Sequence, residues 1–339
     1  MAIASMSLCN FTVFDMIEID FCDGINVFIG ENGTGKTHLL KVLYASCGSK
    51  YQIPIETTNR HKMFDLYLAN CFQTNDIFSL IRRVNSINAY PLQIFVISTS
   101  GNVEYIIRSS DVDPVNGYMA YAFEKLIIPA VYISAKDMLT HGGLEKDFID
   151  RNLPFDITLI DILNKAGVST IKKLAEDKLV ILNKIAGVIG GKVLYKNDRY
   201  YTEKSDGTLI DFAAEAEGFK KLGLLYRLIE TGHLEEDSVL IWDEPEANLN
   251  PKLIPDLVEI ILTLEQAGVQ MFFATHDYFF AKFLEVRKKK DSKVLYHALY
   301  KKGNEVSCES QSDFALLENN SILRQSIDLY KEEVMKVME

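Results

Sequence analysis

The sequence has no apolar run that reaches the roughly 18–20 residues of a membrane-spanning helix. Its longest apolar stretches, such as Leu126 to Ala135, read as buried strands, so no membrane is expected among the partners. The start, MAIASMSLCNF, has no basic segment leading into an apolar core, which argues against a secretory signal. Cysteine is sparse: Cys9, Cys22, Cys47, Cys71 and Cys308 show no CxxC or other metal-ligand spacing. In a chain of 339 residues they are expected to be free thiols in the cytoplasm. Positive charge is also short, with 36 Lys and Arg against 47 Asp and Glu and a net charge of −11. That excludes a surface that grips nucleic acid all over, because such binding runs on many cation–phosphate contacts. It leaves room for a local basic groove, or for one supplied by a partner, so DNA stays open. Internal repeats, low-complexity tracts and linkers are missing, as are heptads long enough for a coiled-coil arm.

What is present is ordinary globular material. Apolar residues make up 48%, charged residues 24%, and mean hydropathy is +0.03, enough to bury a real core. Alternation in LCNFTVFDMIEIDF predicts strands, followed by a turn at Asp23-Gly24 and a buried strand INVFIG. A helix is predicted from Thr37 to Ser46, another over roughly 61–84, then a hairpin of LQIFVIS and VEYIIRS, and a short strand AVYIS. From 136 to 212 the pattern changes to helices around 145–151, 156–166 and 171–186 and a small hairpin, GKVLYKNDRYYTE. This stretch is expected to be an inserted subdomain between core halves at 1–135 and 213–339. The second half reads as a helix from Gly218 to Glu230, the strand VLIW, a helix at 252–266, the strand VQMFFAT and a helix after His276. A hairpin turning at Lys302-Gly303-Asn304 and a helix at 321–337 follow. Strands alternating with helices predict an α/β fold with a mixed or parallel sheet.

Gly30-Glu31-Asn32-Gly33-Thr34-Gly35-Lys36-Thr37 fits GxxxxGK[ST] between a predicted strand and a predicted helix, the setting that a phosphate-binding loop requires. Its glycines let backbone N–H groups converge on phosphate oxygens, and the helix N-terminus adds positive charge. Lys36 is expected to reach the β- and γ-phosphates, and Thr37 to offer a hydroxyl to Mg²⁺. The second element is Val239-Leu240-Ile241-Trp242-Asp243-Glu244, a buried strand with two carboxylates at its C-terminal edge. Asp243 suits Mg²⁺, and Glu244 suits the polarisation of an attacking water. Such a pair can also simply end a strand; the phosphate-binding loop tips the reading to function. Third, VQMFFAT ends at Thr275-His276-Asp277, where His276 can donate to a phosphate oxygen.

Together these elements, with the string WDEPEANLNP and then FFATHD, resemble the ABC-ATPase superfamily. The likeness is strongest to bacterial AAA-type ATP-binding proteins near the RecF, SMC and OLD (overcoming lysogenization defect) groups. The resemblance implies a P-loop NTPase head with a helical lid or arm, an ATPase using ATP and Mg²⁺. By it Asp243 is the Walker B aspartate, Glu244 the catalytic glutamate, Asn248-Leu249-Asn250 the D-loop and His276 the switch histidine. It also implies a head-to-head homodimer or higher assembly in which Gly218 and Asn248 meet the partner's nucleotide. The signature LSGGQ is replaced here by Ala214-Glu215-Ala216-Glu217-Gly218-Phe219-Lys220-Lys221, with Ala216 or Glu217 in place of its serine and a glutamate that has to turn outward or be offset by Lys220 or Lys221. The usual Q-loop glutamine has no matching residue: Gln73 and Gln93 fit it poorly, and Ser134-Ala135-Lys136-Asp137 after a strand is the alternative for that role. A transporter-type head is disfavoured by the long interval from Lys36 to Gly218. Kinship with bacterial defence and mobile-element ATPases implies a co-encoded effector, with a slowly hydrolysing regulatory scaffold as the alternative. Acidic residues outside the pair are scattered, so no nuclease is expected in the chain itself. The basic runs Arg82-Arg83, Lys172-Lys173 and Arg287-Lys288-Lys289-Lys290 read as solvated helix ends before DNA contacts. Tyr195 to Tyr201 fits either a stacking platform or a packed hairpin.

Overall fold

The computed structural model describes residues 1–47, 60–82, 91–107, 128–136, 139–141, 156–170 and 174–338. The helix predicted at 145–151, the Gly142-Gly143 turn, Arg83, Asp137 and Lys172-Lys173 lie outside the described residues. The first half carries β1 (Ile3–Phe11), β2 (Phe14–Asp20), β3 (Ile25–Gly30), α1 (Lys36–Ser46), α2 (Arg60–Cys71), β4 (Leu92–Ser98), β5 (Gly101–Ile107) and β6 (Ala130–Ile133). Next come α3 (Ile157–Ala166), α4 (Glu176–Ile189), β7 (Lys192–Lys196), β8 (Arg199–Glu203) and β9 (Leu209–Asp211). The second half holds α5 (Glu217–Glu230), β10 (Val239–Asp243), α6 (Ile254–Gln266), β11 (Gln270–Thr275) and α7 (Tyr278–Arg287). It closes with β12 (Val294–Lys302), β13 (Glu305–Gln311) and α8 (Ser321–Met338).

The central sheet has the order β13-β12-β3-β11-β10-β6 and is parallel except for the β12–β13 hairpin. Every residue of β3 and β11 is buried, as expected for parallel strands covered on both faces. The covering follows the two-residue period of a strand. Val27, Ile29, Leu240, Trp242, Met271 and Phe273 pack with α4 to α7 on one side. Phe28, Val239, Ile241, Phe272 and Ala274 pack with α1, α2 and a second, antiparallel sheet of order β2-β1-β4-β5 on the other. The alternating stretch after Leu8 does not run on as far as the Asp23-Gly24 turn. It folds back between Phe11 and Phe14, where Thr12 takes a left-handed φ of 49° and the two phenylalanines pair. The helix predicted over 61–84 stops at Cys71 and gives way to a single 3₁₀ turn at Ile77–Leu80.

The region at 136–212 supplies α3, α4 and the three-stranded sheet β7-β8-β9. It shares one hydrophobic cluster with α5 and α6, through Ile181, Ile185 and Ile189. Buried and partly buried polar bonds tie it to α1 and α2. Asp161 accepts from Tyr44 and Tyr67 at 2.9 and 2.6 Å, and Lys41 donates to Asp156 at 2.6 Å. Tyr195 and Tyr200 pack ring against ring at 4.7 Å, with Tyr200 buried against Phe212, so this hairpin spends its aromatics on packing. The basic run after α7 behaves as a helix end: Arg287 and Lys288 donate to Pro255 O and to Ser312 O and Asp313. Among the described residues no helix is long and apolar enough to cross a membrane.

Candidate functional site

The loop between β3 and α1 needs its glycines for two separate reasons. Gly30, Gly33 and Gly35 hold φ values of +148°, +76° and +89°, which L side chains rarely adopt. Space is also taken: a Cβ would stand 2.2 Å from Leu299 O at Gly30 and 2.5 Å from Phe14 Cζ at Gly35. The β1–β2 hairpin and β12 thus press on the loop and hold its shape. Thr34 is buried and donates to Glu31 O at 2.8 Å, while Glu31, Asn32 and Gly33 form the exposed tip. Lys36 Nζ curls back onto Gly30 O and Glu31 O at 2.6 and 2.9 Å. Burial pulls this ammonium below the ordinary lysine value, against the upward pull of Asp243, Glu244 and Glu31.

Strand order brings the acidic pair to this loop. β11 lies between β3 and β10, and Thr37 Oγ1 at the start of α1 donates to Asp243 Oδ2 at 2.8 Å. Burial raises the Asp243 carboxyl and neighbouring Glu244 adds to the rise, against the Thr37 bond and the charges of Lys36 and Lys41. A hydroxyl beside a carboxylate whose charge is costly is a donor set that fits a hard divalent cation. Glu244 holds a left-handed φ of 50°, and its Oε1 lies 3.1 Å from His276 Nδ1, just past the end of β11. Its carbonyl accepts from Lys221 Nζ of α5 at 2.8 Å.

Lys36, Thr37, Asp243, Glu244 and His276 therefore converge, while Gly218 and Asn248 meet each other a short way off. A Cβ on Gly218 would lie 2.8 Å from Leu249 Cδ2 and 3.2 Å from Asn248 O, and Asn248 itself has φ +64°. Of the two lysines expected to offset Glu217, Lys220 donates to it at 2.7 Å. Lys221 turns instead to Glu244 of its own chain. Ser134, at the end of β6, follows Ile133, the residue paired with Trp242, and so sits at the edge beside Asp243. Two residues were missed from the sequence. Glu246 is buried and accepts from Thr275 Oγ1 at 2.6 Å, which ties the approach to the D-loop to the strand that ends at His276. Lys221 was legible only as one of a pair. A lysine four residues into a buried helix was the signal available, and its direction was not.

Residues 25–281 match a family described as "AAA domain, putative AbiEii toxin, Type IV TA system". A stretch of 50 residues is 46% identical to the DNA replication and repair protein RecF of Cytophaga hutchinsonii, and 44 residues are 48% identical to that of Oceanobacillus iheyensis. These matches cover 15% and 13% of this chain and only 13% and 12% of the RecF proteins. Across the whole fold, the chain is similar to an Smc head domain with an extended coiled coil, bound to the C-terminal domain of ScpA and derived from Pyrococcus furiosus. That likeness has TM-score 0.55 and 12% identity, over 98% of this chain and 99% of that one. An SmcHead bound to the C-winged helix domain of ScpA gives TM-score 0.59 at 12% identity, over 92% and 98%. At such identity these two likenesses bear on fold alone. The family match over residues 25–281, on a fold shared with the SMC head, leads to one statement: the chain belongs to this AAA-domain family.

Proposed function

We propose that the chain is a cytoplasmic, magnesium-dependent ATPase whose ATP-bound form assembles head to head with a second copy and acts through a partner effector in a bacterial defence or DNA-associated system. The observation that carries the site reading is the 2.8 Å bond between Thr37 and Asp243, which joins two motifs more than two hundred residues apart. Backbone amides of Gly33 to Thr37 hold the phosphates, and Lys36 leaves the carbonyls of Gly30 and Glu31 for the β- and γ-oxygens. Thr37 and Asp243 would hold Mg²⁺, which would supply charge that neutralises the phosphates. Glu244 orients the attacking water and takes its proton, and His276 fixes the Glu244 carboxylate. Gly218 at the start of α5 and Asn248 face the partner copy's nucleotide. With Glu217 neutralised by Lys220 in its own chain, the helix N-terminus remains attractive to phosphate.

The family's description supports a toxin–antitoxin setting, and hence a second reading in which the chain hydrolyses slowly and gates a separate toxin or nuclease. The two RecF relatives are named for DNA replication and repair, which keeps DNA among the candidate partners. The test is Glu244→Gln with Mg-ATP in multi-angle light scattering. Retained ATP binding, turnover slowed at least a hundredfold (a loss of roughly 3 kcal/mol of barrier lowering) and an ATP-dependent rise in mass are expected. One unchanged mass with and without ATP would refute the assembly. Proteins that co-purify with the trapped form separate the effector reading from the DNA reading.

A further inference from the structure

The nucleotide loop is flanked on both sides by neighbouring strands, and the proposed function uses only the β10 side. On the other side β12 runs parallel to β3 with Leu299 opposite Gly30. The contact is tight, as the carbonyl of Leu299 occupies the space that a Gly30 Cβ would need. Two residues on, at the same strand face, stands Lys301. Its Nζ lies 3.9 Å from the point where a Cβ on Gly33 would stand, and among the described residues no other non-neighbouring heavy atom comes within 4 Å of that point.

Lys301 is exposed, and among the described residues no hydrogen bond or ion pair is formed by its side chain. Many other lysines here have a partner: Lys41 pairs with Asp156, Lys178 with Glu235, Lys220 with Glu217, Lys288 with Asp313 and Lys293 with Asp23. The loop's own lysine, Lys36, is occupied by two backbone carbonyls. An ammonium without an acid, held over the glycine whose amide faces an anion site, lacks only the anion.

We propose that Lys301 is a second cation of the nucleotide site, which closes on the polyphosphate chain from the β12 side, opposite Asp243. The inference rests on ATP occupying the loop at Gly30 to Thr37. A charge-assisted contact of this kind at a solvent-exposed edge is worth about a fivefold change in affinity. It strengthens binding of ATP and ADP and leaves adenosine untouched, because the contact is to phosphate and not to base or sugar.

The experiment is isothermal titration of ATP, ADP and adenosine into the full chain and into Lys301→Ala, Lys301→Arg and Lys36→Ala, at two ionic strengths. The expected result is a Kd for ATP and ADP raised about fivefold in Lys301→Ala, with Lys301→Arg within about twofold of the natural chain. Competition by adenosine stays unchanged, and the fall of ATP affinity with salt becomes shallower in Lys301→Ala. If Lys36→Ala loses binding while Lys301→Ala matches the natural chain for both nucleotides, Lys301 is no part of the site and this inference alone falls. Equal loss of ATP, ADP and adenosine would likewise overturn it, since that pattern belongs to a disturbed loop. If the natural chain and Lys36→Ala take up ATP alike, the loop assignment itself fails. Matched circular dichroism spectra establish that the variants are folded.

Discussion

Replacing Glu246 by glutamine should change how stability depends on pH, in a direction and by an amount that the structure sets. Glu246 is only 7% exposed. Burial first, and the charge of Asp277 second, hold its carboxyl proton up to about 7, against the Thr275 hydrogen bond, its own backbone N–H and Lys221. One carboxyl oxygen takes the Thr275 bond; the other is buried and has no partner among the described residues. Between the usual 4.5 and about 7 the folded chain keeps a proton that the unfolded chain has released. Stability therefore falls as pH rises through that window and levels off above it. Holding the proton to about 7 instead of 4.5 corresponds to roughly 3 kcal/mol at about 1.4 kcal/mol per pH unit. Glutamine keeps the oxygen that accepts from Thr275 and does not titrate. Urea denaturation followed by far-ultraviolet circular dichroism, at steps from pH 4.5 to 8, gives the two stability curves. Every other titrating group is shared, so the difference between the curves isolates this one. Glu246→Gln is expected to gain about 3 kcal/mol on the natural chain from the acid end to the alkaline end. Parallel curves, within about 0.5 kcal/mol, would refute the reasoning, whatever their absolute offset.

Three further outcomes are expected. Buried His297, which lies between Ser310 Oγ and Asn26 Oδ1 at 2.8 and 3.3 Å, has its ring value lowered by burial to about 3. It therefore favours the folded state fully above about pH 6.5, and that contribution is lost as pH falls toward 3, by up to about 1.4 kcal/mol per unit. Its ring resonances in NMR should show a neutral imidazole at pH 5. Lys221→Met removes the donor to Glu244 O and should cost about 2 kcal/mol of stability. ATP affinity should hold and turnover should fall, with partial rescue by Lys221→Arg, as measured by denaturation and steady-state hydrolysis. Gly218→Ala puts a Cβ 2.8 Å from Leu249 Cδ2 and should leave ATP affinity within about twofold while it depresses turnover; turnover at the natural rate would show that Gly218 has no role in the reaction.

Sequence was a good guide wherever the deciding physics is local. INVFIG, the loop and the amphipathic start of α1 are contiguous, so their period and spacing announce a strand, a phosphate nest and a helix. The same holds for VLIWDE, whose acids sit where an apolar strand runs out. The hairpin at Thr12 was not legible, because alternation continues across it and only a left-handed residue breaks the strand. Glu246 reads as one more acid in a polar string, and its burial follows from β11 passing beside it. Lys221 and Lys301 are set by long-range order: α5 laid against the Glu244 turn, and β12 inserted beside β3. A lysine's neighbours in space are not written in its neighbours in sequence.

Trp242 is the chain's only tryptophan. It is fully buried in the core, one peptide bond from Asp243. Its indole emission therefore arises from a single dry environment joined to the acid expected to take the metal. Excitation at the red edge of the absorption band reads one position, free of any background from a second indole. Nucleotide and metal uptake can be timed by stopped flow on the unlabelled chain, with no dye to disturb the surfaces that meet in an assembly.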